Sequence, residues 1–273
     1  MLVLKEYGPL IDTNLMPPDD YIRQKAFCVE QKEYRLRTDK SGFIISGADQ
    51  GADQDVIVAV GDSVCECLYV EEEERLWANL ERKLNAGGWP VSVLNGGVSD
   101  SHLLHIINVF LNKIVPLKPK AVLVLQGGAD RPPSRDRASY WSKSPAITTV
   151  RRRGERDQFN ADLSWREVDY TDRQKLLDIL ISAARAFEIP LVYITSPVPR
   201  HYPDGWHDEC RALNQQTREF CASNQVQMVD LERDMPNFGW MFHDDAHLNR
   251  YGCRAASELI SKSVMALRPA PER

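Results

Sequence analysis

Apolar residues fall in short, dense runs along most of the chain, at 56–60, 91–94, 121–125, 191–195 and 226–231. These runs are rich in Val, Leu and Ile and show no alternation, which predicts strands covered on both faces. Between them, apolar positions recur at helical spacing. Leu76, Trp77, Leu80 and Leu84 share one face behind the acidic run 71–74, whose charge suits a helix N-terminus. Leu103, Ile106, Ile107, Phe110, Leu111 and Ile114 follow the same spacing. Thr171-Asp172-Arg173-Gln174 has the form of a capping box ahead of Leu176, Leu177 and Leu180. Further helices are expected over 207–221 and around Ala255, Ala256, Leu259, Ile260 and Val264. Strand–helix alternation with right-handed crossovers predicts an α/β fold. The expected form is a three-layer, flavodoxin-like parallel sheet of about five strands, with helices on both faces.

Two stretches depart from this rhythm. The first fifty residues are polar and lack helical periodicity, apart from a hairpin expected over 34–46 that turns at Asp39-Lys40-Ser41-Gly42. With the short tandem Gly-Ala-Asp-Gln repeat at 47–54, they suggest an N-terminal extension and linker, 1–54, packed on or beside a main domain, 55–273. The second stretch is an insertion at about 131–169, too long for an ordinary strand-to-helix loop. It carries nine Lys/Arg against six Asp/Glu in a chain whose net charge is −5. A basic excursion at the carboxyl edge of a sheet suits a lid or a contact to an anionic substrate, and a solvated loop is the plain alternative.

Composition narrows the class. The chain has 273 residues, 43% hydrophobic and 27% charged, which is ordinary for a globular protein. No apolar run approaches the ~18–20 residues of a membrane span, and the four apolar residues before Lys5 are too few for a secretory signal. The acidic balance argues against nucleic acid as a partner. Six cysteines without a signal suit reduced thiols in a cytoplasmic protein. Cys65-x-Cys67 has no second pair, so neither a metal nor another cofactor is expected.

Ligands of open parallel sheets bind beyond the carboxyl ends of the strands. Gly61-Asp62-Ser63 follows the first run, Asn95-Gly96-Gly97 the second, and Gln126-Gly127-Gly128-Ala129-Asp130 the third. Asp244 and His247 follow the fifth. A serine hydroxyl needs an adjacent base, and a histidine base needs a carboxylate to fix its tautomer. Ser63, His247 and Asp244 are the candidates, and the backbone N–H groups of Ser63 and Gly97 are candidate oxyanion donors. Asp62 is expected to fix the loop. Asp130, Arg131 and His201 are candidate substrate contacts, whereas His102 and His105 read as surface residues.

These blocks resemble the SGNH/GDSL hydrolase superfamily of serine esterases, lipases and other acylhydrolases, over most of the chain from Val56 onward. The resemblance implies an ester hydrolase that forms an acyl-Ser63 intermediate on a small-molecule or carbohydrate ester, with Asp244-x-x-His247 as its acid–base pair. It also exposes a departure. The family's third block carries an asparagine whose amide donates to the oxyanion, and Ala129 stands there. Gln126, Asn95 and Arg131 are the candidate substitute donors. Cys67 stands where the family often has glycine. Two other readings follow: transfer of the acyl group to an alcohol or amine, and a binding domain silenced by Ala129.

Overall fold

The computed structural model describes residues 4–25, 29–45, 54–144, 147–148, 166–200 and 205–269. Short elements come first: β1 (Asp12–Leu15), α1 (Asp19–Lys25) and β2 (Tyr34–Arg37). The main sheet then begins with β3 (Asp55–Gly61), followed by α2 (Ser63–Glu66), α3 (Leu76–Ala86), β4 (Val91–Gly97) and α4 (Leu103–Val109). β5 (Ala121–Gln126), α5 (Arg131–Arg135) and α6 (Thr171–Ala186) follow. β6 (Leu191–Thr195), α7 (Gly205–Asn224), β7 (Gln227–Val229), α8 (Leu231–Asp234) and α9 (Arg250–Val264) complete the order.

β3 to β7 form a parallel five-stranded sheet in the order β4-β3-β5-β6-β7. Alternate side chains of β5 divide between its two faces. Ala121, Leu123 and Leu125 join a core with α3 and α9, and Val122 and Val124 join one with α4 and α6. Burial on both sides is why the strand sequences show no alternation. The result is the expected three-layer, flavodoxin-like α/β architecture. No described helix is long and apolar enough to cross a membrane.

Some local expectations change. β2 pairs with β1 in register, from Asp12 opposite Arg37 to Leu15 opposite Tyr34, and the expected hairpin closes over 37–45, with a bridge from Thr38 to Ile44 and the Ile45 N–H donating to the Arg37 carbonyl at 2.9 Å. Ile44 also bridges Asn95, and with Phe43 it is buried, so this segment closes over the β4 edge. Thr171 does not act as a cap; Tyr170 holds that position, and the Thr171 N–H donates to Asp169 Oδ1 at 2.9 Å. The start of the insertion is α5, followed by a tight turn at Ser139–Trp141. Residues 145–146 and 149–165 lie outside the described residues.

His102 and His105 are not surface residues. They are 0% and 3% exposed and stack with ring centroids 3.7 Å apart. His102 Nε2 bonds the Ile147 carbonyl at 2.7 Å, and His105 Nε2 bonds that of Thr148 at 3.2 Å. Burial lowers both pKa values, His105 to about 3, so both rings are neutral and serve as anchors for the insertion backbone.

Candidate active site

β3 delivers Ser63 to the carboxyl edge of the sheet. Only glycine can precede the turn, because a Cβ on Gly61 would sit 1.7 Å from the Leu125 carbonyl oxygen of β5. Asp62 caps α2 by accepting the Val64 N–H at 3.1 Å. Its other oxygen accepts the N–H groups of Gly127 at 2.7 Å and Ala129 at 3.3 Å, tying the serine turn to the β5 loop. Burial pushes the Asp62 carboxyl up to about 6, against the pull of these backbone donors and nearby His247. Cys67 ends α2 at φ 58, in the left-handed region that favours glycine.

Asp244 and His247 come from the loop ahead of α9, whose helix is started by Asn249 accepting the Tyr251 and Gly252 N–H groups. Asp244 Oδ1 accepts the backbone N–H groups of Ala246 at 2.8 Å and His247 at 2.6 Å, which fixes the loop as a tight turn. Asp244 Oδ2 lies 2.6 Å from His247 Nδ1, and His247 Nε2 lies 2.7 Å from Ser63 Oγ. Burial opposes the imidazolium, but the hydrogen bond and charge of Asp244 prevail and raise the His247 pKa. Burial likewise pushes the Asp244 carboxyl up; His247 and its other donors overcome that and hold it well below the usual carboxylate range. His243 is buried and stacked on His247, with ring centroids 5.6 Å apart, and burial lowers its pKa to about 4.

Not every candidate is brought to this point. The Gly97 N–H donates to Asn95 Oδ1 at 2.9 Å. Asn95 is fully buried, and its amide donates to the Glu66 carbonyl at 3.2 Å. Asp130 is 0% exposed and binds Arg173 Nε and the Leu103 N–H, both at 2.9 Å. Arg131 pairs with Glu209 at 2.7 Å and lies over the Trp206 ring, beside the pocket. Gln126 is buried with neither amide atom partnered among the described residues. His201 lies outside the described residues.

A pocket of about 500 Å³ opens on His247, lined by Asp20, Tyr21, Trp206, Asp244, Asp245 and Ala246. Sequence patterning did not mark Asp20, Tyr21 or Trp206, since no local motif links them to the loop they face. Among the described residues one group offers three potential metal ligands within 4.8 Å of one another: His243, Asp244 and His247. Both ring nitrogens of His247 and both oxygens of Asp244 are already hydrogen-bonded, so a cation there would have to displace those bonds.

The sequence of residues 59–255 matches the model of the GDSL-like lipase/acylhydrolase family. The chain belongs to that family. Membership makes this GDSL-like protein an ester hydrolase. A comparison with curated proteins gives no match. Among solved structures, the chain resembles the acetyl xylan esterase AlAXEase, with 15% identity, a TM-score of 0.57, and coverage of 77% of this chain and 99% of that one. It also resembles a lipase/acylhydrolase from Enterococcus faecalis, with 18% identity, a TM-score of 0.57, and coverage of 81% and 100%. A third neighbour is TesA, with 16% identity, a TM-score of 0.55, and coverage of 78% and 99%. At these identities the structural neighbours speak for the fold of this GDSL-like chain.

The departure at Ala129 yields a direct prediction. Ala129 is partly exposed on the β5 loop and has no side-chain donor. Losing an oxyanion donor costs roughly 10²–10³ in turnover in other enzymes. Ala129→Asn is therefore expected to raise kcat by about tenfold or more on a simple ester. Unchanged or lower kcat would show that the site does not lack that donor.

Proposed function

We propose that the protein cleaves a carboxylic ester through an acyl-Ser63 intermediate. The observation that carries this reading is the unbroken line Ser63 Oγ to His247 Nε2, 2.7 Å, and His247 Nδ1 to Asp244 Oδ2, 2.6 Å. Ser63 Oγ attacks the carbonyl carbon while its proton passes to His247 Nε2. Asp244 holds Nδ1–H and stabilises the imidazolium. The Ser63 N–H, at the first position of α2, is the backbone donor available to the oxyanion. Collapse of the tetrahedral intermediate breaks the bond to the alcohol oxygen, which takes the proton back from Nε2. Water then enters with the same base, and its attack releases the acid and regenerates Ser63.

The pocket bears on the substrate. Its described lining has the carboxylates of Asp20, Asp244 and Asp245 and no lysine or arginine, which favours a neutral ester over the anionic one suggested by the basic insertion. Tyr21 and Trp206 add aromatic surface suited to a sugar ring or a small apolar alcohol. Acetylated sugars, the class named for one structural neighbour, therefore belong beside short acyl esters in a first screen. The test is turnover by the wild type and by Ser63→Ala. Loss of at least ~10³-fold in kcat in the variant supports the reading. Equal turnover, or ligand binding with no turnover by the wild type, contradicts it.

A further inference from the structure

The acid of the proposed triad has a fourth hydrogen-bond donor, which comes from far outside the family-matched region. Tyr21, on α1, donates its hydroxyl to Asp244 Oδ2 at 2.6 Å, across 223 positions of sequence. This is the same oxygen that receives His247 Nδ1. The Tyr21 ring is held in place by other aromatics. It lies 5.7 Å from Tyr69 and 6.4 Å from His243, and Tyr69 in turn lies 5.9 Å from Tyr34 of β2. Tyr21 and Asp20 also form one wall of the pocket that opens on His247.

We infer that Tyr21 is a positioning residue for ester cleavage, by which the N-terminal segment fixes the Asp244 carboxylate and tempers its pull on His247. This rests on the proposed roles of Ser63, His247 and Asp244. A carboxylate oxygen shared by two donors has its charge dispersed, and the imidazolium beside it is stabilised less than by an undivided charge. The hydroxyl also limits rotation of Asp244, so Nε2 stays aimed at Ser63 Oγ. A hydroxyl donor suits this task because it cannot itself become the proton acceptor near neutral pH. Burial, reinforced by the adjacent Asp244 charge, pushes the Tyr21 phenol well above its ordinary value. The other titratable groups around the pair are Asp62 on the β3–α2 turn, Cys67 at the end of α2, Tyr69 beyond it, His243 and Asp245 on the same loop, and Asp20 on α1. Of the described side chains, Tyr21 and His247 alone donate to Asp244.

The test is the pH dependence of covalent labelling by a fluorophosphonate, followed by intact mass on full-length wild type, Tyr21→Phe and Ser63→Ala. Tyr21→Phe keeps the ring and its contacts, and its thermal midpoint verifies folding. Labelling requires neutral His247, so its rate rises with pH through the imidazolium pKa. Removing the hydroxyl returns full charge to Oδ2 and raises that pKa. The acidic limb is expected to move up by about 0.5–1 pH unit, with the plateau rate falling several-fold. A limb that superimposes on the wild type, whether or not the plateau falls, overturns the inference. Failure of the underlying reading has a different signature: the wild type then gains no adduct that Ser63→Ala loses. That result removes both claims, whereas an unmoved limb with a Ser63-dependent adduct removes only the role of Tyr21.

Discussion

His247→Ala is expected to lower kcat on any ester substrate by about 10⁴–10⁶-fold while leaving KM nearly unchanged. The imidazole lies between Ser63 Oγ and Asp244 Oδ2, at 2.7 Å and 2.6 Å. Without it the serine hydroxyl has no base and the leaving alcohol no acid. Among the described residues no second base is positioned to take over: His243, although stacked on His247, has its pKa lowered by burial and has no partner for Nδ1. Under the proposed function substrate binding rests mainly on the other pocket walls, among them Tyr21 and Trp206, which the substitution leaves in place. Steady-state kinetics on wild type and variant check this. A fall confined to tenfold, or one carried mainly by KM, would show that His247 lines the pocket without serving as the base. The pH profile of the wild type adds a sign. Asp244 favours the charged form of His247 and raises its pKa, so kcat/KM falls off on the acid side from a higher pH than an unperturbed histidine would give.

Asp130→Ala is expected to destabilise the fold by roughly 3–5 kcal/mol. The Asp130 and Arg173 side chains are 0% and 4% exposed, and their ion pair joins the β5 loop to α6 at 2.9 Å. Arg173 also donates to Gln216 and Thr217 on α7, at 3.2 Å and 2.9 Å. Removing the carboxylate strands a buried guanidinium and unties the Leu103 N–H that starts α4. Replacing both partners by apolar residues, as in Asp130→Leu with Arg173→Met, is expected to recover part of that loss, because no buried charge is left unpaired. Urea unfolding of the single and double variants measures both effects. A single variant as stable as the wild type, but with a raised KM, would return Asp130 to the role of substrate contact that the sequence suggested.

What the sequence disclosed follows from the range of each interaction. The five strands were legible because burial on both faces leaves unbroken apolar runs, and 191–195 coincides with β6 residue for residue. The Gly61-Asp62-Ser63 turn and the Asp244-x-x-His247 turn were legible because each is held by contacts among near neighbours: Asp62 caps the helix that begins with Ser63, and Asp244 accepts the His247 N–H. The partner of the Gly97 N–H was not legible, because it is the side chain of Asn95, two positions back, folding onto it. His102 and His105 look polar in sequence, and only the returning backbone at Ile147 and Thr148 makes them core residues. Tyr21 had no local signal. It reaches Asp244 through the docking of α1 and β2, and chain distance conceals that contact.

The most direct measurement is the intact mass of the wild type and of Ser63→Ala after treatment with a fluorophosphonate. One adduct on the wild type, absent from the folded variant and mapped to the peptide that carries Ser63, is the result expected of a serine held 2.7 Å from its base. No adduct on the folded wild type, or an adduct that persists in Ser63→Ala, would contradict Ser63 as the nucleophile.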